Sequence, residues 1–284
     1  MMAKITVIGT GTMGSGIAQA SLSSGYDVTM IAHSQKSVQE AASRVESGFD
    51  KAVSAKAITQ EQKLAMMSRL SVSDDIASSA GSNFIIEAVS EDFDTKEGVL
   101  KSAEKYLGTG ILATNTSSIP ISQLAAGLSR KDVFIGIHFF NPVPVMKVVE
   151  LIGGDSTSPN TISKSSEFVK KLGKTPVEVK DSPGFIANRL LMLFINEAAR
   201  ALDQGVATKE GIDTIAKLGL HHPMGPLELA DFIGVDVCND IMLEIFRRTD
   251  DKAFDPAESI KRLVKEGRLG RKSGKGFYDY AAKA

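Results

Sequence analysis

A single cysteine, Cys238, among 284 residues excludes an internal disulfide framework, so a packed core has to hold the fold. Its apolar neighbours read as those of a buried, inert thiol rather than a nucleophile. Charge of one sign is also scarce: the formal net charge is -1, too little to draw nucleic acid or an anionic membrane by a global field. Any anionic ligand must therefore be met by a local site. No apolar run approaches the ~18 residues that span a bilayer, and the longest candidate, 184–195, is broken by Asn188 and Arg189. The amino terminus passes from Met1-Met2-Ala3-Lys4 directly into Ile5-Thr6-Val7-Ile8, without the basic region and removable apolar segment of an export signal. These absences predict a cytoplasmic protein with neither a nucleic-acid nor a membrane partner.

Hydrophobic residues at 43% and charged residues at 24% describe an ordinary globular chain with enough apolar material for a core. At roughly 150 residues per domain, the length suggests two. Short β-branched runs at Ile5–Ile8, Val28–Ile31, Asn83–Ala88, Ile111–Ala113, Val133–Ile137 and Val148–Ile152 alternate with helix-period segments. That alternation predicts an α/β fold, a doubly wound, mostly parallel Rossmann-type sheet covered by helices on both faces. Between the second and third runs, Gln35–Arg69 reads as two long helices. After Asp181-Ser182-Pro183-Gly184 the strand-like runs stop. Phe185–Gln204, Thr208–Leu218 and Val235–Phe246 carry helical spacing, with turns at Gly205, Pro223–Pro226 and Gly267–Gly270. The expected boundaries are a dinucleotide-binding domain over 1–182 and a second, all-α domain over 183–284.

Gly9-Thr10-Gly11-Thr12-Met13-Gly14 follows the first strand at once and opens a helix. In such a fingerprint Gly9 permits the tight turn, Gly11 lets a pyrophosphate approach the backbone, and Gly14 lets helix and strand pack closely. Thr12 and Met13 then start a helix whose amino end faces the phosphates with unpaired N–H groups. About 20 positions on, NAD-binding folds place an acid that accepts the adenosine ribose hydroxyls. Here that place holds Ala32, followed by His33, Ser34 and Lys36. With no carboxylate to repel a 2′-phosphate, the cofactor is NAD(H) or NADP(H), leaning to NADP(H).

The polar segment Asn115-Thr116-Ser117-Ser118-Ile119-Pro120 follows an apolar strand and belongs at the carboxyl edge of the sheet, where open α/β sheets bind ligands. Val133–Ile137 delivers His138 to the same rim. Glu150 sits in the apolar run Lys147–Ile152, where an unpaired carboxylate would be costly, so it needs a partner. The two adjacent histidines, His221 and His222, have no further His or Cys at ligand spacing and read as a turn rather than a metal site.

With these residues in view, the chain resembles the 3-hydroxyacyl-CoA dehydrogenase family over nearly its whole length, and most closely its short-chain members. The resemblance is carried by the glycine fingerprint, by Asn115-Thr116-Ser117-Ser118, and by His138-Phe139-Phe140-Asn141-Pro142-Val143-Pro144-Val145-Met146. It continues through Asp181-Ser182-Pro183-Gly184-Phe185 with Asn188-Arg189, His222-Pro223-Met224-Gly225-Pro226, and Gly270-Arg271-Lys272-Ser273-Gly274-Lys275-Gly276-Phe277-Tyr278.

The resemblance implies reversible oxidation of a (3S)-3-hydroxyacyl-CoA, with 3-hydroxybutyryl and acetoacetyl as the acyl pair, and a homodimer formed through the helical domain. It also implies an active site in the cleft between the domains. His138 becomes the general base and acid, and Glu150 the residue that fixes its tautomer. Ser117 and Asn188 would hydrogen-bond substrate oxygens. Glu91 and Lys96 would approach the nicotinamide ribose, and Asn115 and Asn141 would frame the cofactor site. Lys51 and Lys56, on the helical insert, are candidates for the coenzyme A phosphates, which need compact cationic donors.

Most of these roles have a plainer rival: His138 could be a satisfied rim histidine and Glu150 a structural salt-bridge partner. Ser117 could cap a helix ahead of Pro120, Glu91 and Lys96 could be solvated charges, Lys51 and Lys56 one exposed helix face, and Asn188 an interdomain tie. Two whole-chain alternatives also stand: a sugar-acid 3-dehydrogenase on the same scaffold, and a non-catalytic dinucleotide-binding protein, which would have no need of a His138–Glu150 pair.

Overall fold

The computed structural model describes residues 3–280, and its internal contacts divide the chain into one unit ending at Asp181 and another starting at Ser182. The first unit opens with β1 (Lys4–Ile8), α1 (Thr12–Ser23), β2 (Asp27–Ile31), α2 (Gln35–Ser54), α3 (Gln60–Met67) and β3 (Leu70–Ser73). It continues with β4 (Phe84–Glu87), α4 (Phe93–Glu104), β5 (Ile111–Thr114), α5 (Ile121–Ala125), β6 (Phe134–Phe139), β7 (Val148–Gly153), α6 (Pro159–Lys171) and β8 (Thr175–Lys180).

The strands form one eight-stranded sheet in the order β3-β2-β1-β4-β5-β6-β7-β8. All ladders are parallel except β6 with β7, which is antiparallel. Central strands are buried along their length, as helices on both faces require: every residue of β4, β5 and β6 is buried. The strand order reverses at β1, which pairs with β2 on one side and β4 on the other. That switch point is where open α/β sheets take ligands. Local chemistry sets the helix starts: Ser34 accepts from Ser37 N to begin α2, Thr59 and Gln62 form a capping box on α3, and Asp92 accepts from Thr95 N to begin α4.

Three features depart from expectation. β3 and β8 carry too weak a pattern to be read, since Leu70-Ser71-Val72-Ser73 is short and half polar and Thr175–Lys180 contains Pro176. Both are edge strands, where a proline and an exposed face are tolerated. The helical insert is one long helix and one short one, because α2 ends at Ser54 and Lys56 turns the chain with φ +56° before the eight residues of α3. Finally, His138 lies inside β6 rather than beyond it.

The second unit is helical: α7 (Ala187–Asp203), α8 (Lys209–Thr214) continuing into a π-helical turn over Ile215–Gly219, α9 (Pro226–Ile233), α10 (Val235–Thr249) and α11 (Glu258–Lys265). Met192, Ile195, Leu227, Val235, Met242 and Phe254 are among the residues of its core. The expected Pro223–Pro226 turn leads directly into α9. Pro226 is its first residue, and Asp213 takes the N–H groups of Leu227 (2.9 Å) and Glu228 (3.0 Å). No helix among the described residues is long and apolar enough to cross a membrane.

Candidate active site

The antiparallel pairing of β6 with β7 sets His138 directly opposite Glu150. Cross-strand partners face the same way, and the two side chains meet with Nδ1 2.7 Å from Oε2. Ile137 and Phe139, on either side of His138, turn instead into the core. Both members of the pair are buried, so each removes the cost of burying the other. A carboxylate accepting at Nδ1 places the ring proton there and a lone pair on Nε2, the tautomer of a general base. The ring of Phe140 lies 4.8 Å from the imidazole, centroid to centroid.

The turn after β5 is held by neighbouring strands. Asn115 donates its N–H to the Glu87 carbonyl (2.8 Å), and its Oδ1 accepts from the N–H of Phe139 (2.9 Å), so its amide ties the turn to β6. Glu91 collects the rest of the turn: Oε1 accepts from Thr116 Oγ1 (2.5 Å), Ser117 N (2.8 Å), Ser118 N (3.0 Å), Ser118 Oγ (3.0 Å) and Ser117 Oγ (3.3 Å). Burial pushes the Glu91 carboxyl up, but Lys96 and these hydrogen bonds together outweigh it and hold the group below the usual carboxylate range. Lys96 is not a solvated charge, being 1% exposed, with Nζ 2.8 Å from Glu87 Oε1 and 3.2 Å from Glu91 Oε2. The leading N–H groups of α5, Ile121 and Ser122, are taken by Asp181 (2.9 and 2.7 Å).

Sequence reasoning missed Glu87. Its signal was available: a carboxylate closing the apolar run Phe84-Ile85-Ile86 raises the same question of a partner that singled out Glu150. Glu87 is fully buried and accepts from Lys96 Nζ (2.8 Å), Val89 N (2.7 Å) and Thr114 Oγ1 (2.6 Å).

At the switch point, Gly9 has φ +113°, and a Cβ there would stand 2.4 Å from the Ala88 carbonyl oxygen. A Cβ on Gly14 would stand 2.1 Å from the Gly9 carbonyl oxygen. Gly11 differs, since a Cβ there would meet nothing within 4 Å, and α1 begins with no side-chain cap. Two glycines are thus demanded by packing, while the third leaves open space before an uncapped helix amino terminus. That cradle, opened by Thr12 and Met13, fits the pyrophosphate of a dinucleotide.

Ala32 follows β2, buried, with its N–H on the Ser73 carbonyl (2.9 Å). His33 is exposed with Nδ1 3.0 Å from Ser37 Oγ, and Ser34 serves as the cap of α2. Of the other expected site residues, Lys51 in the last turn of α2 and Lys56 just beyond it are exposed, as is Asn141 after Phe140. Asn188 belongs to the second unit, in the first turn of α7. The structure therefore brings His138 to Glu150, and Glu91 to Lys96 and Ser117, within the first unit.

The family model described as 3-hydroxyacyl-CoA dehydrogenase, NAD binding domain, matches residues 4–182, and that of the C-terminal domain of the same family matches residues 184–280. A 3-hydroxybutyryl-CoA dehydrogenase of Bradyrhizobium diazoefficiens is 42% identical over 278 residues, covering 98% of this chain and 95% of that protein. The mitochondrial hydroxyacyl-coenzyme A dehydrogenase of Sus scrofa is 39% identical over 286 residues, covering 97% and 90%. Among solved structures, the (S)-3-hydroxybutyryl-CoA dehydrogenase of Ralstonia eutropha superposes with a TM-score of 0.97 at 42% identity, covering 99% of this chain and all of the other.

Proposed function

Since the chain belongs to the 3-hydroxyacyl-CoA dehydrogenase family, we propose that it catalyses the reversible oxidation of a (3S)-3-hydroxyacyl-CoA to the 3-oxoacyl-CoA, with 3-hydroxybutyryl-CoA and acetoacetyl-CoA as its physiological pair. The observation that carries this reading is the 2.7 Å contact between His138 and Glu150 across β6 and β7. In oxidation, Nε2 of His138 takes the proton of the 3-hydroxyl, and Glu150 stabilises the imidazolium that results; in reduction the same nitrogen returns the proton to the 3-oxo oxygen. The nicotinamide dinucleotide, when bound, supplies hydride exchange at C3.

Ser117 and Asn188 orient the substrate oxygens. Gly9, Gly11, Thr12, Met13 and Gly14 hold the pyrophosphate, Glu91, backed by the buried Lys96, serves the ribose on the nicotinamide side, and Asn115 and Asn141 frame that end. Ala32, His33 and Ser34 meet the adenosine end, where the lack of a carboxylate favours NADP(H). Lys51 and Lys56 serve the coenzyme A phosphates. Exposed Leu190, Leu218, Leu220 and Phe232 on the helical unit support a homodimer formed there, and the lone buried thiol suits the reducing cytoplasm.

Initial rates with acetoacetyl-CoA, against NADH and NADPH in turn, test the reading. We expect saturable turnover with the higher kcat/KM for NADPH, and none with the free 3-oxo acid. A clear preference for NADH would overturn the cofactor choice alone. Turnover of free hydroxy acids but not of acyl-CoA would favour the sugar-acid dehydrogenase, and tight cofactor binding with no turnover of any acyl-CoA a non-catalytic protein.

A further inference from the structure

Lys96 spends its donors inward. Nζ lies 2.8 Å from Glu87 Oε1, 3.2 Å from Glu91 Oε2 and 3.4 Å from the Val89 carbonyl, and the residue is 1% exposed. What a ligand can meet is therefore Glu91, whose side chain keeps 36% of its surface. Behind the lysine, Glu87 is fixed from three directions. Oε1 takes Lys96 and the N–H of Val89 (2.7 Å), and Oε2 takes the Thr114 hydroxyl (2.6 Å). The chain of contacts runs from the end of β5, through Glu87 and Lys96, to Glu91 and the Thr116–Ser118 turn. Two carboxylates around one ammonium leave a surplus of negative charge at its outer end. Such a group accepts from sugar hydroxyls and repels phosphates.

We propose that Glu87 is a positioning residue for the cofactor: by anchoring Lys96 from behind, it holds the Glu91 carboxylate ready to accept hydrogen bonds from a ribose diol. The inference rests on the proposed dinucleotide reading but not on the acyl-CoA. Glu87 itself touches no ligand. Its effect passes through Lys96, as a supporting residue fixes the group that makes contact.

The test is direct titration of NADH and NADPH, followed by their fluorescence, on the full-length wild type and on Glu87→Gln, Glu87→Asp and Thr114→Val, with Tm recorded for each. Glu87→Gln should weaken cofactor binding about tenfold, the size of a lost hydrogen bond to a charged group. Glu87→Asp, which keeps the charge, should lie between Gln and wild type even where the two variants melt alike. If cofactor affinity simply follows Tm across the variants, or is unchanged while Tm falls, Glu87 is a structural counterion and the proposal is overturned. Should Glu87→Gln fail to melt cooperatively, Glu87→Asp against wild type decides, since it keeps the charge and shortens the reach to Lys96: weaker cofactor binding at an unchanged Tm supports the proposal and unchanged binding overturns it. Because binding is read without acyl-CoA, a wild type that turns over no acyl-CoA would remove the proposed substrate and leave this measurement standing.

Discussion

A carboxylate closing or interrupting an apolar strand is tolerated only when a partner neutralises it, and the first unit contains two such residues, Glu87 and Glu150, each answered by a cation or a potential one at hydrogen-bond distance. The partner decides what each group can do. A lysine beside Glu87 makes a structural ion pair; an imidazole beside Glu150 makes an oriented ring whose other nitrogen can take or give a proton. Glu91, held below the ordinary carboxylate range, contributes stability that is fully present above the unfolded value of about 4.5 and is lost as pH falls through its lowered folded value. Glu91→Gln should therefore lower Tm at pH 7 and converge with wild type near pH 3, as a melting series across that range would show; a constant offset at every pH would contradict it. Cys238 is the reverse case: burial, with Asp236 and Asp231 nearby, pushes its thiol up to about 12, which leaves it protonated and unreactive at neutral pH.

Among the elements, the turn from β1 into α1 has little freedom. Its glycines serve two demands at once, close packing of helix on strand and an open helix amino terminus. Gly14→Ala forces a methyl into the Gly9 carbonyl and should cost about 1–3 kcal/mol, as overpacking does, seen as a lowered Tm together with weakened NADH binding. Gly11→Ala adds its methyl to open space, so Tm should hold while dinucleotide affinity falls. The central strands were legible because burial on both faces writes an unbroken β-branched run. β3 and β8 were not, because an edge strand need satisfy only one neighbour and so tolerates serine and proline. The start of α9 hid behind Pro223–Pro226, since proline marks both a turn and a first helical position. His138 and Glu150 could each be named from the sequence, but their contact depends on a register that puts them opposite each other on antiparallel strands, which no local pattern states. Lys96 is a harder case: spacing suggests an exposed helix start, and only its approach to two acids shows it buried.

Across the whole molecule, the change from strand-bearing to helical pattern near Pro183 coincides with a division of internal contacts after Asp181 and with family matches that end at 182 and resume at 184. The first unit holds both the His138–Glu150 pair and the glycine turn, and the proposed proton transfer and cofactor binding draw on different residues within it. The most direct test uses that separation. kcat for acetoacetyl-CoA reduction would be measured on wild type, His138→Ala and Glu150→Gln, with NADH affinity titrated on the same preparations. Removing His138 should lower kcat by ~10²–10⁴-fold, the usual share of general acid–base catalysis, with Glu150→Gln also impaired and both variants binding NADH as wild type does. Near-normal turnover by His138→Ala would contradict the account.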